Sequence, residues 1–460
     1  MTSHLVRCEI PSAKVTTQLE GIYQPDLKSE YPGLFYVLFM FFVLYITLPL
    51  IEIPLLGGLS LSAPIFFFVA IPVLLRPVYP WFSDYWHWIL TALIIWVGIF
   101  TSAVLNGLFT SGLRVDQDTL TSLIQFAYWF LVFVVTIYLA SSQKDLVKRL
   151  AGVIAIGVFV LGVLRIGEAI LGGAVGGWMH LVIMSENDYA MQFSMFYPIM
   201  LPFVFWGSKR KLATCAVLLL LTAIIINGSR TGWVTMLASS LVFLGMYIRT
   251  QRQRLPAILI VLLLGGMLWL GALWAPASVV LAFQRRFSTF YNLGEDKSYA
   301  TRQLMDQKGL KLFQSNPWIG IGISRWQKEF VSLDIPLALR SFSQSDFAHT
   351  SSHNAYIQLL AETGLAGAIP FGCLLLFLTI QGFKSASHLA LGGQVWALGI
   401  YAGFIGMSIH LYTLSGLEGT ATWFVYALVA AVIVLDNRAI SKEKQSAYAP
   451  RLSLSRSRSL

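Results

Sequence analysis

A few polar residues stand out in a chain that is otherwise apolar. His353 and Asn354 open the run SSHNAYIQLLAETGLAG (351–367), and Glu362 follows nine residues after the histidine. Arg230 sits in NGSRTGW (227–233), Arg302 in YATRQLMDQ (299–307), and Arg165 in an apolar stretch that also holds Glu168. A neutral imidazole can take a proton from a hydroxyl near neutral pH, which few other side chains do without a shifted pKa. Guanidinium forks bind phosphate oxygens bidentately and stabilise charge that develops on a phosphate leaving group. Nearby arginines also help to keep a histidine neutral, because they disfavour imidazolium. The combination suits transfer from a lipid-linked pyrophosphate to a hydroxyl, with guanidinium groups supplying the positive charge and no metal or other cofactor.

Each of these residues has a plainer reading beside the chemical one. Arg165 has Glu168 three residues on, on the same helical face, so neutralisation within the helix competes with a ligand role. Arg230 can snorkel to an interface or hold a lipid phosphate. Arg302 can pair with Asp306 at i,i+4 on a solvated helix. Arg285 and Arg286, in FQRRF, read as a solvated or headgroup-binding pair. His349 competes weakly with His353 for the role of base, while His4, His87, His388 and His410 are scattered, and no H-x-x-x-H metal spacing occurs. Glu362 either orients a partner of the histidine or caps local structure through a hydrogen bond. Trp178, Trp318, Trp326 and Tyr356 suit sugar stacking or, more simply, interface anchoring.

The elements that must position these groups are membrane helices. The chain has 460 residues, 56% hydrophobic and only 12% charged, against about 25% charged in soluble domains. An all-α integral membrane protein follows, with twelve apolar stretches near 34–50, 60–75, 88–108, 119–140, 150–172, 188–206, 212–226, 231–248, 255–274, 361–381, 388–410 and 419–436. The first 33 residues mix Arg7, Lys14 and Lys28 with Glu9, Glu20, Asp26 and Glu30 and do not resemble a cleavable signal, so the first span reads as a retained anchor. Cys8, Cys215 and Cys373 are far apart and odd in number, which implies neither a disulfide framework nor a zinc site. A formal charge of +10 does not indicate nucleic acid, since that reading needs a basic face on a soluble domain.

Charge placement orients the helices. Twenty Lys and Arg lie on the two tails and the even-numbered connections, while the short odd-numbered ones carry only Arg114 and Arg230. An excess in short loops marks the cytoplasmic face, so both termini are expected there. The ninth connection, about 275–360, is long and holds nine Lys/Arg and six Asp/Glu; long exported loops escape the charge rule. Within it, Ser298 is expected to cap a helix over 299–314 with an apolar stripe of Ala300, Leu304, Leu310 and Phe313. Asn316-Pro317 should stop that helix, and Gly320 and Gly322 suit a tight turn. The expected organisation is a cytoplasmic tail (1–33), nine transmembrane helices (34–274), a large, partly helical periplasmic loop (275–360), three more helices (361–436) and a basic cytoplasmic tail (437–460). The ending RLSLSRSRSL reads as a disordered segment near anionic lipid. His353, Asn354, Arg230, Arg302 and Arg165 then all fall near the external face.

With these motifs in hand, the chain resembles the bacterial O-antigen ligase/polymerase superfamily. The resemblance rests on GSRTGW at 228–233, TRQLMDQKGLKLFQSNPWIGIG at 301–322 and HNAYIQLLAETGLAG at 353–367. It implies a glycosyltransferase-C-like membrane enzyme that uses an undecaprenyl-diphosphate-linked glycan as donor in the periplasm of the bacterial inner membrane. In the ligase case the acceptor is a sugar hydroxyl of the lipid A core. His353 would correspond to the general base, and Arg230 and Arg302 to the arginines at the pyrophosphate; Arg165 joins the donor site on its depth in the fifth span. SENDYA at 185–190 is similar to a polar segment preceding span 6 in such proteins, which adds Asn187 and Asp188 to Asn354 and Glu362 as supports. Direct attack with inversion is the mechanism implied. The histidine motif favours ligase over polymerase, and a transporter or flippase is the third reading.

Overall fold

The computed structural model describes residues 33–48, 62–75, 79–111, 117–142, 144–172, 186–205, 210–251, 297–332, 352–415 and 419–456, with 284, 288 and 417. The expected ninth span (255–274), Arg285, Arg286, His349, Trp178, residues 1–32 and the last four residues lie outside the described residues. Every regular element among the described residues is helical. In chain order these are α1 (Gly33–Thr47), α2 (Ser62–Leu74), α3 (Tyr79–Ser111), α4 (Gln117–Ser142), α5 (Lys144–Gly172), α6 (Glu186–Phe205) and α7 (Arg210–Asn227). They continue with α8 (Arg230–Gln251), α9 (Lys297–Ser315), α10 (Trp326–Ser332), α11 (Ala355–Leu391), α12 (Trp396–His410) and α13 (Thr420–Arg456).

Helices are what an apolar solvent demands, because each backbone N–H and C=O must find its partner within the segment. Among the described residues seven helices are long and apolar enough to cross a membrane, and α1, α2 and α12 are shorter apolar helices. Helices occupy eleven of the twelve expected apolar intervals. Helix α12 packs chiefly on α6 and α8, α13 on α4 and α11, and α3 on α11. Small residues permit the closest of these contacts: a Cβ on Gly403 of α12 would lie 2.2 Å from the Met195 carbonyl oxygen of α6. The core is correspondingly large and aromatic, with Trp423 edge-on to Phe130 at 4.8 Å and fully buried.

Two local expectations need correction. Helix α9 begins at Lys297, so Ser298 lies inside it and does not cap it. Its buried face is Met305, Lys308, Gly309 and Leu312, while Leu310 is exposed. A count of apolar side chains overlooks Gly309, whose missing Cβ admits the Ile357 methyl and the Trp326 ring. The last helix also runs on to Arg456, into the ending read as disordered; residues 438–447, rich in Arg, Ala, Lys, Glu and Gln, are good helix formers and carry it outward.

Candidate active site

The site is built around an interruption. In α11, Gly364 has φ 58° and ψ −157°, which divides the helix after residue 363. An unbroken helix would join the Leu365 and Ala366 amides to the Ala361 and Glu362 carbonyls. Here the segment after α9 enters instead: Ile321 N donates to Ala361 O and Gly322 N to Glu362 O, both at 2.9 Å, while Leu365 N and Ala366 N donate to Pro317 O and Trp318 O at 2.9 and 3.0 Å. Four bonds replace two, so irregular backbone persists within the helical bundle without orphaned groups. Asn316 and Pro317 end α9 as expected, and Gly320 (φ 67°) and Gly322 (φ 103°) make the turn. The ends of α3 and α4 complete the clamp. Ser102 Oγ donates to Ile319 O and to Glu362 O at 3.1 Å, Asn106 Nδ2 donates to Ile319 O at 3.3 Å, and Ser122 and Ser324 share a hydroxyl contact.

The half-helix 355–363 carries the histidine motif at its start. Asn354 is its N-cap, with Oδ1 accepting from Ile357 N at 3.2 Å. His353, just before the cap, has a left-handed backbone (φ 54°), a conformation uncommon outside glycine and most often seen where surroundings enforce it. Those surroundings are the turn after α12. His353 N donates to Ser415 Oγ at 3.0 Å, Ser352 and Ser415 hydroxyls lie 2.9 Å apart, and Ala355 N donates to Leu411 O at 2.9 Å. His353 Nδ1 is buried and has no hydrogen-bond partner among the described residues.

Beside this turn lies a cavity of about 530 Å³, within the usual range for small-molecule sites, and both Arg230 and Arg302 line it. Tyr299, Tyr356 and Tyr412 supply aromatic walls and Ser408 and Thr413 hydroxyls, and among the described residues no carboxylate lines it. Arg230 reaches it from the first position of α8, and Arg302 from α9. Tyr356 is fixed by donating its hydroxyl to Ser408 O at 2.7 Å. Burial, and next the positive charge of Arg302, push the His353 imidazole below the ordinary histidine range, whereas Asp188 pulls it upward. Asp306, one turn along α9 from Arg302, is pushed up by burial and held down by the Asn354 amide and Arg302. The Asn354 contact falls short of full hydrogen-bond geometry, since Nδ2 meets no acceptor on those terms. Among the described residues no three His, Cys, Asp or Glu side chains are grouped to hold a metal ion.

The structure thus brings Arg230, Arg302, His353, Asn354, Asp188 and Asp306 to one end of the bundle. Glu362 is turned elsewhere: its Oε1 accepts from Trp326 N at 3.1 Å, at the start of α10. Arg165 is not among the residues that line the cavity; it bonds Asn227 at 3.0 Å and Glu168 at 3.4 Å. Trp326 is buried and Trp318 is 72% exposed, and of the described aromatic candidates only Tyr356 lines the cavity. Residues the sequence did not single out include Ser102 and Asn106, whose signal was polarity at i,i+4 in an apolar helix. His410 is another: it is buried at the end of α12, with Nδ1 3.4 Å from Ser194 Oγ, and an ionisable group in an apolar span was its signal. No curated protein matches the chain. Residues 215–372, the part of the chain that holds Arg230, Arg302, His353 and the broken helix, match a family described as O-antigen ligase.

Proposed function

We propose that the protein is a membrane glycosyltransferase that moves a glycan from undecaprenyl diphosphate to a sugar hydroxyl of the lipid A core, at the periplasmic face of a bacterial inner membrane. The observation that carries this reading is the convergence of two arginines from separate helices on one cavity, next to a histidine whose pKa burial and Arg302 push down. Arg230 and Arg302 bind the diphosphate and stabilise the charge that builds on it as the sugar C1–O bond breaks. His353 takes the proton of the acceptor hydroxyl as its oxygen bonds to C1 from the opposite face, which inverts the anomeric centre. Undecaprenyl diphosphate leaves with the electron pair of the broken bond. The tyrosine walls suit the sugar rings at the junction.

The test is transfer by purified protein from a lipid-diphosphate glycan to rough lipopolysaccharide, with EDTA and without nucleotide. Product with an inverted linkage supports the reading, and a need for a chelatable metal overturns the guanidinium mechanism. A deletion strain separates this activity from polymerisation. Loss of a ligase leaves long glycans on the lipid carrier and bare core, whereas single repeat units capping the core would overturn the ligase assignment.

A further inference from the structure

Arg165 and Asn227 form a strut behind the turn that carries Arg230. Asn227 ends α7, Gly228 (φ 73°) reverses the chain, Ser229 accepts from Gly232 N at 3.3 Å, and α8 starts at Arg230. A connection this short would be free to pivot, yet both its sides are tied to the first residues of α6. Asn227 Nδ2 donates to Glu186 O at 2.7 Å, and Ser229 Oγ donates to Asn187 Oδ1 at 3.4 Å. Asn227 is almost completely buried, and its other amide atom, Oδ1, accepts from Arg165 Nε at 3.0 Å. Arg165 is itself fixed: Nη1 bonds Glu168 Oε2 at 3.4 Å, the guanidinium lies 5.2 Å from the centroid of the Tyr189 ring, and the Tyr189 hydroxyl donates to Glu168 at 3.0 Å. Three helices, α5, α6 and α7, meet at this one amide.

We propose that Asn227, braced by Arg165, is a positioning residue for Arg230 in binding the donor diphosphate. This rests on the reading of Arg230 given above and assigns Arg165 a place behind the donor site. The planar fork of arginine is what the strut needs, since Nε and Nη1 must reach Asn227 and Glu168 together. A lysine keeps the charge but offers a single point.

The experiment uses the full chain in detergent and measures binding of undecaprenyl diphosphate together with initial rates against the glycan donor. Asn227→Ala is expected to raise donor KM by about tenfold or more, the scale of a small misplacement of a binding group, with kcat and acceptor KM little changed. Arg165→Lys is expected to do the same and remains informative if Asn227→Ala does not fold. Thr222→Ala, which removes only a bond to Leu218 O earlier on α7, is the control and should leave donor KM unchanged. The deciding measurement adds Asn227→Ala or Arg165→Lys to Arg230→Ala: if the strut acts through Arg230, diphosphate binding weakens by no more than about twofold further. Full multiplication of the Arg165 and Arg230 effects overturns the strut, because it is the result of direct contact between Arg165 and the donor. Unchanged binding in Arg230→Ala would instead overturn the role of Arg230 itself, and weakened binding there with unchanged Asn227→Ala overturns the strut alone.

Discussion

At the scale of single residues, the protonation of His353 is set by burial and by two charged neighbours acting in opposite senses. Burial and Arg302 favour the neutral ring and Asp188 favours the charged one. A base works in its neutral form, so kcat/KM is expected to fall as pH falls through the His353 pKa, with that acid limb below the ordinary histidine range. Asp188→Asn removes the charge that favours imidazolium, so the limb should move to still lower pH; a rise of the limb would refute the assigned interaction. Initial rates followed downward from neutral pH until the limb has been passed in both proteins show it. His353→Ala is expected to lower kcat by roughly 10²–10⁴, the usual worth of a general base, with donor KM held; undiminished transfer would remove the base assignment. The sequence exposed His353, Arg230 and Arg302 because a histidine and two arginines stand out in apolar surroundings. It could not assign Glu362, since the Trp326 amide that it meets is far away along the chain, and for Arg165 it set Glu168 against a donor role without finding Asn227, which Arg165 bonds as well as Glu168.

At the scale of elements, the break in α11 is the feature on which the histidine depends. The apolar run after Ala355 was legible as a helix, and Asn316-Pro317 and the glycines after it as a stop and a turn. That the turn inserts into the break was not legible, because four backbone bonds between 317–322 and 361–366 leave no mark on side-chain pattern. The glycines are its trace. A Cβ on Gly364 would lie 2.5 Å from Gly320 N, and one on Gly320 would lie 2.4 Å from the Glu362 carbonyl. Gly364→Ala adds to that collision the strain of a backbone region essentially reserved for glycine (φ 58°, ψ −157°), roughly 1–3 kcal/mol. It should lower the thermal unfolding midpoint in detergent and transfer activity together. An equally stable, equally active Gly364→Ala protein would show that the half-helix does not need this junction. Glu362→Gln keeps an acceptor for Trp326 N and is expected to retain most activity, unlike His353→Ala, which separates a structural carboxylate from a chemical imidazole.

At the scale of the whole molecule, the two ends of the bundle are chemically distinct. The candidate site occupies the end where α7 closes and α8 and α11 begin, and where α12 finishes. The opposite end is tied by basic side chains: Arg438 donates to Ser141 O at 2.8 Å and to the Tyr85 hydroxyl at 2.7 Å, Arg249 lies over the Phe383 ring at 5.7 Å, and His388 meets Asp436 at 2.5 Å. Fixed arginines at one end and a cavity-lining pair at the other accord with the excess of Lys and Arg on the even connections, and that excess is what made the proposed orientation readable from sequence. The orientation has a direct test. In a background without Cys8, Cys215 and Cys373, Gln314→Cys puts a thiol on the exposed last turn of α9 at the site end, and Ser441→Cys puts one on the exposed stretch of α13 at the other. An impermeant maleimide added to spheroplasts should label the first at once and the second only after the membrane is opened. Reversed labelling would place the arginine-lined cavity on the cytoplasmic side, away from a periplasmic donor, and the function proposed for it would fail with the orientation.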